Sequence, residues 1–219
     1  NPMNKDILKK SLAELIGTCF LVMIVVGSGI MAENLSSNEL NVLLANTIAT
    51  GAGLTALILI FIAISGAHFN PAVTLVMFFK GEISMQESLY YICFQILGGL
   101  LGVILANVMF GLEAIQISEN VRGGTNIYLA ELIATFGLIM TILGVRRISM
   151  LAIAPAVGLY ISAGYWFTSS TSFANPAVTL ARGFSNTFTG IDPNYILPFI
   201  CAQLLGAYIS LKVMNFLQE

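Results

Sequence analysis

The apolar positions of this chain run in blocks too long for a soluble core. Six blocks, at residues 7–31, 40–64, 89–110, 128–145, 150–167 and 195–217, are nearly free of charge. A helix needs about 20 such residues to cross the hydrocarbon core of a bilayer. Each block therefore predicts a transmembrane helix. Two further apolar pieces, 69–79 and 174–184, are too short to cross, and each holds an Asn-Pro step: Asn70-Pro71 and Asn175-Pro176. Asparagine caps helices and proline suits the first turn. Unwound backbone before a short helix is tolerated at membrane depth only where it lines a cavity or is buried in protein. Both pieces are expected to be re-entrant half-helices that dip in and return.

The pattern occurs twice. Asn70-Pro71-Ala72-Val73-Thr74-Leu75 comes back residue for residue as Asn175-Pro176-Ala177-Val178-Thr179-Leu180. Ala13-Glu14-Leu15-Ile16 in the first span echoes Ala130-Glu131-Leu132-Ile133 in the fourth, and Gln95 in the third echoes Gln203 in the sixth. Two three-span repeats are expected, 1–111 and 112–219, joined in one pore domain. Interrupted apolar segments at matching places of two halves point to a transport site.

Charge sets the orientation. Lys5, Lys9, Lys10, Lys80, Arg146, Arg147 and Lys212 fall on one side of this arrangement, with only Arg122 and Arg182 on the other. The positive-inside rule places both termini in the cytoplasm. Three spans per half then invert the second repeat, and the half-helices enter from opposite faces. The leading lysines suit a signal peptide, but the run after them reaches Met31 and contains Glu14, so it reads as a first transmembrane helix.

Composition adds the solvent. Of 219 residues, 57% are hydrophobic and 9% charged, against roughly 45–50% and about 25% in soluble domains. The lipid bilayer is the expected partner. A net charge of −2 gives no reason to expect nucleic acid. Cys19, Cys93 and Cys201 lie far apart in apolar stretches, with neither metal nor disulfide spacing. No nucleophile–base pair, metal constellation or phosphate loop appears, so neither an enzyme nor a cofactor is expected.

The chemistry follows from two half-helices meeting N-terminus to N-terminus. Each N-terminus carries roughly half a positive charge and unpaired N–H groups. Asn70 and Asn175 can offer amide donors to a passing molecule, on backbones held by Pro71 and Pro176. The positive field repels cations and protons. The unwound residues Gly66, Ala67, His68 and Phe69, with Ser172, Phe173 and Ala174, present carbonyl acceptors along one wall. Apolar side chains of the spans form the other. Such a tube suits small uncharged solutes that form hydrogen bonds. Ionisable residues inside spans are functional candidates by default. For Glu14 and Glu131 a supporting role fits better, accepting N–H bonds from the unwound loops, since no second carboxylate or histidine is within reach by spacing.

Six spans, inverted halves and two Asn-Pro-Ala half-helices resemble the aquaporin and glycerol-facilitator family along essentially the whole chain. The resemblance implies an all-α membrane channel, aquaporin-like, commonly a homotetramer in the plasma or inner membrane. It implies that Ala72 and Ala177 complete the two motifs, that His68 lines the pore, and that the Glu pair supports the loops. Most members carry an arginine where this chain has Val178. Matching the other constriction positions gives Thr50 and Ser172. The span-five position is open: counting back from Asn175 gives Ala163, counting on from Gly158 gives Tyr165, and the shorter loop favours Tyr165. With Thr50, Ser172 and Val178 the mouth is expected to be wider and less cationic than in a water-specific channel. Arg182 shares a helix face with Val178 and either reaches the mouth or snorkels to headgroups. Tyr165, Trp166 and Phe167 are expected to cluster with Phe173, Phe184 and Phe188 near the outer end. The run Ser172-Phe173-Ala174-Asn175-Pro176-Ala177-Val178 resembles a bacterial branch linked to arsenic handling. The function this implies is passage of glycerol-like polyols, neutral metalloid hydroxides such as arsenite, and water. A water-dominant channel is the nearest rival. A six-span anion channel or proton-coupled transporter is a more distant one.

Overall fold

The computed structural model describes residues 4–219. They form eight α-helices and one 3₁₀ turn: α1 (Lys5–Leu35), α2 (Glu39–Ser65), α3 (Pro71–Phe79), α4 (Met85–Met109), α5 (Thr125–Val145), α6 (Ile153–Phe167), α7 (Pro176–Arg182), the turn Pro193–Tyr195 and α8 (Ile196–Gln218). The fold is all-α, as the apolar blocks predict. The helices α1, α2, α4 and α5, and the stretch Pro193–Gln218, are long and apolar enough to cross a bilayer. The fifth span, α6, is shorter than its apolar block. It begins at Ile153, not at 150, and its 15 residues reach about 22 Å. Pro155 explains the start, since proline lacks an N–H and is tolerated in the first turn but not deeper.

The short helices also begin later than the apolar pieces that announce them. Asn70 and Asn175 are their N-caps, with φ of −158° and −159°. Each side-chain oxygen accepts from the backbone two residues on, Ala72 N at 2.9 Å and Ala177 N at 3.0 Å. The residues before them cannot join a helix, because Phe69 (φ 51°) and Ala174 (φ 50°) are left-handed.

Helix α1 packs on α4 and α5 on α8, with α2 against α1 and α6. Small residues permit close approach without a hydrophobic force between helices. A methyl group on Gly98 would lie 2.3 Å from the Leu15 carbonyl oxygen, and one on Gly206 2.2 Å from that of Leu132. At Gly144 the nearest atom is 3.8 Å away. We expect Gly98→Ala and Gly206→Ala to cost about 1–3 kcal/mol by forcing backbones apart, while Gly144→Ala is neutral. Thermal unfolding in detergent checks this; equal midpoints for all three would contradict it.

Polar contacts tie the helix ends together. Lys10 pairs with Glu87 at 3.2 Å, Arg146 with Glu82 at 2.8 Å, and Lys80 with Asn215 at 3.2 Å. The start of α1, the ends of α3, α5 and α8, and the start of α4 therefore share one basic end. At the opposite end Phe188 N donates to Glu33, and Arg122 donates to the carbonyls of Gly190 and Phe188.

Candidate functional site

A cavity of about 190 Å³ runs between these ends. Its apolar wall comes from Leu21 and Val25 of α1, Leu54 and Ile58 of α2, Leu138 and Ile142 of α5, and Val157 and Ile161 of α6. The other wall is unwound backbone, 66–69 and 172–174. The carbonyls of Gly66, Ala67, His68, Ser172 and Phe173 accept no hydrogen bond among the described residues. They leave two short rows of acceptors for a solute.

Holding this backbone is costly. Ala67, Phe69, Thr171, Ser172 and Ala174 all have positive φ, at about 1–3 kcal/mol each. Two fully buried carboxylates offset that strain. Glu14 receives Ser65 Oγ at 2.6 Å, His68 N at 3.0 Å, Phe69 N at 2.6 Å and Gln95 Nε2 at 2.8 Å. Glu131 receives Ser170 Oγ at 2.7 Å, Phe173 N at 2.8 Å, Ala174 N at 2.9 Å and Gln203 Nε2 at 2.7 Å. The two sets match member for member. Sequence reasoning missed Ser65 and Ser170, although both stand at the same spacing before their asparagines. It also placed no histidine within reach of Glu14, whereas the amide of His68 binds it directly.

The two asparagines meet across the midline. Asn70 Nδ2 donates to the Ala174 carbonyl, and Asn175 Nδ2 donates to the Phe69 carbonyl, both at 2.7 Å. Each side-chain NH₂ carries two hydrogens. One therefore ties the opposite loop and one remains for the cavity that both residues line. The sequence indicated both donors but not this mutual tie, which needs the two loops side by side. Pro71, Ala72, Pro176 and Ala177 are buried beneath them.

At the end away from Arg146, Thr50, Tyr165, Ser172, Val178 and Arg182 line the cavity. Tyr165 is buried and Ala163 is exposed, so at this end α6 turns Tyr165, not Ala163, to the cavity. Its hydroxyl lies 3.1 Å from Thr50 Oγ1. The Ser172 hydroxyl is buried without a partner among the described residues.

Arg182 departs from the headgroup placement. It is 3% exposed, its Nε donates to the Thr189 carbonyl, and its guanidinium carbon stands 3.4 Å over the Phe173 ring. The mouth is thus not short of a cation: a guanidinium lies one turn beyond Val178. The expected aromatic cluster also divides. Phe173 packs on Phe199 with ring centroids 5.0 Å apart, Trp166 Nε1 donates to Thr47 at 3.1 Å, and Phe167 is exposed. Trp166 and Phe167 follow the faces of α6 while Phe173 sits on the unwound loop, so proximity in sequence did not bring them together.

Comparison with known proteins follows the same lines. The model of the family described as "Major intrinsic protein" matches residues 3–148. Aquaglyceroporin AqpS of Rhizobium meliloti (strain 1021) is 48% identical over 214 residues, covering 98% of this chain and 92% of that protein. Aquaporin TIP1-1 of Arabidopsis thaliana is 32% identical over 230 residues, covering 98% of this chain and 90% of that protein. Among solved structures, the X-ray structure of the aquaglyceroporin from Plasmodium falciparum superposes with a TM-score of 0.74 at 21% identity, covering 94% of each chain. That likeness is one of fold.

Proposed function

The chain belongs to the major intrinsic protein family, a family of membrane channels, and we propose that it passes glycerol-like polyols and neutral metalloid hydroxides such as arsenite, together with water. One observation carries this reading: the mutual Asn70–Ala174 and Asn175–Phe69 bonds, which hold two helix N-termini face to face inside one cavity. A solute at that point meets an amide hydrogen from each side, so its oxygen accepts twice and cannot pass a proton onward. The N-terminal dipoles add positive potential. On either side the solute can donate to free carbonyls while its carbon skeleton slides on Leu54, Ile58, Leu138 and Val157. This division suits a polyol with one hydroxylated edge.

The same reading places Lys10, Lys80 and Arg146 at the cytoplasmic end, with the inverted repeats meeting at the asparagines, in a plasma or inner membrane homotetramer. A water-dominant channel is favoured by one feature, the buried Arg182 at the outer mouth. Stopped-flow measurements on proteoliposomes decide between the two: glycerol, urea and neutral arsenite should enter well above the rate of empty vesicles. Planar bilayers should show no current that grows with protein dose, for protons or simple ions. Such a current would sink the neutral-solute reading, and glycerol entry at the rate of empty vesicles would leave the water channel.

A further inference from the structure

We infer that His68 is held as the neutral imidazole with its hydrogen on Nε2, and that Thr74 is the positioning residue that holds it there. The inner limb of the channel thereby gains one fixed side-chain donor. This inference rests on the channel reading above.

The direction of each hydrogen bond follows from Glu14. A carboxylate has two oxygens with about four lone-pair sites, and four donors converge on this one. Gln95 can face it only through its NH₂, since the reverse orientation sets an amide oxygen against a carboxylate oxygen. The same Nε2 lies 2.9 Å from Thr74 Oγ1, so Thr74 accepts there. Its hydroxyl then has one hydrogen to give away, and the residue is fully buried.

In the second half the matching Thr179 gives that hydrogen to the Asn175 carbonyl at 2.7 Å. Thr74 makes no such bond among the described residues. Its remaining polar neighbour is His68 Nδ1 at 3.0 Å. If Nδ1 carried a hydrogen, the Thr74 hydroxyl hydrogen would be buried with nothing to accept it. A bare Nδ1 accepts it, and a neutral ring then carries its hydrogen on Nε2. Nε2 has no partner among the described residues, and His68 lines the cavity. Tyr91 fixes the ring from one side, edge to face with centroids 5.2 Å apart, and its own hydroxyl is tied to the Ser65 carbonyl at 2.8 Å. The donor sequence runs one way, from Gln95 to Thr74 to His68 to the solute. Phe173 stands at the corresponding place in the second half, so that place in the outer limb carries no ring donor.

His68 is the only histidine in the chain, so protein grown on ¹⁵N-histidine reports a single ring. Nitrogen NMR of that protein in liposomes should show a hydrogen-bearing Nε2 and a bare Nδ1. A hydrogen-bearing Nδ1 overturns the inference. Thr74→Val removes the hydroxyl at nearly equal size and should let part of the population move its hydrogen to Nδ1, while Thr74→Ser should keep the original spectrum. An unchanged ring in Thr74→Val would show that Thr74 does not position it. If that variant fails to fold, the spectrum of the unaltered protein still decides the tautomer. Flux is measured on the same vesicles. An Nδ1–H ring in protein that passes glycerol overturns this inference and spares the channel reading. An Nε2–H ring in protein that passes nothing does the opposite.

Discussion

Glu131→Gln should lower the unfolding midpoint in detergent by about 2–12 °C and depress flux of every solute together. The carboxylate meets four donors, three from the loop before Asn175 and one from α8. An amide keeps one acceptor oxygen and turns an NH₂ toward the rest. Ser170 and Gln203 can reorient; the Gln203 oxygen, now unpartnered, can face the new NH₂. The backbone N–H groups of Phe173 and Ala174 cannot. Whichever way the amide points, one of them is left buried and unpaired, at about 1–3 kcal/mol. For a chain of this size each kcal/mol moves the midpoint by about 2–4 °C. The residue released is also one of those adjoining left-handed backbone at Ser172 and Ala174, so the acceptor row loosens as a unit. Glu14→Gln should behave alike through His68 N and Phe69 N. An unchanged midpoint with a reordered solute preference would mean that the carboxylates select, not support.

Val178→Arg should lower the glycerol-to-water permeability ratio by about tenfold, equivalent to about 1.4 kcal/mol of barrier. Val178 lines the cavity beside Tyr165 and Ser172 and contributes no donor. An arginine there adds a donor fork and removes width that a polyol uses and a water does not. The result depends on Arg182, one turn along the same short helix. Two guanidiniums on one face repel each other, and Arg182 has its own attachments at Thr189 and Phe173. The double variant Val178→Arg with Arg182→Ala should relieve that repulsion and keep the narrow mouth. Arg182→Ala alone should widen the mouth and raise glycerol flux, if the Thr189 loop stays ordered. A ratio unchanged in folded Val178→Arg would place selectivity elsewhere, with Tyr165 and Thr50 the next candidates.

Much of the fold is legible in the order of residues. Apolar blocks longer than about 20 residues leave a chain few choices of solvent or secondary structure, and a repeated Asn-Pro-Ala marks helix starts by local chemistry alone. The support role of Glu14 and Glu131 was readable because a carboxylate in an apolar span must find donors. Their serine partners were readable too, at equal spacing before each asparagine, but a serine in a loop carries no such compulsion.

Other features required three dimensions. The choice between Ala163 and Tyr165 turned on the rotation of α6, which depends on α6 packing against α2 and α5 and on Tyr165 reaching Thr50. The mutual bonds of Asn70 and Asn175 join loops from opposite halves. The cation at the mouth is the plainest case. Matching the motif to the family it resembles predicts its loss at Val178, the position where most members carry an arginine. The fold bends the chain after α7 so that Arg182 lies against Phe173 and the Thr189 carbonyl. Local order determines which residues form helices and caps; only long-range packing determines which side of a helix faces the cavity.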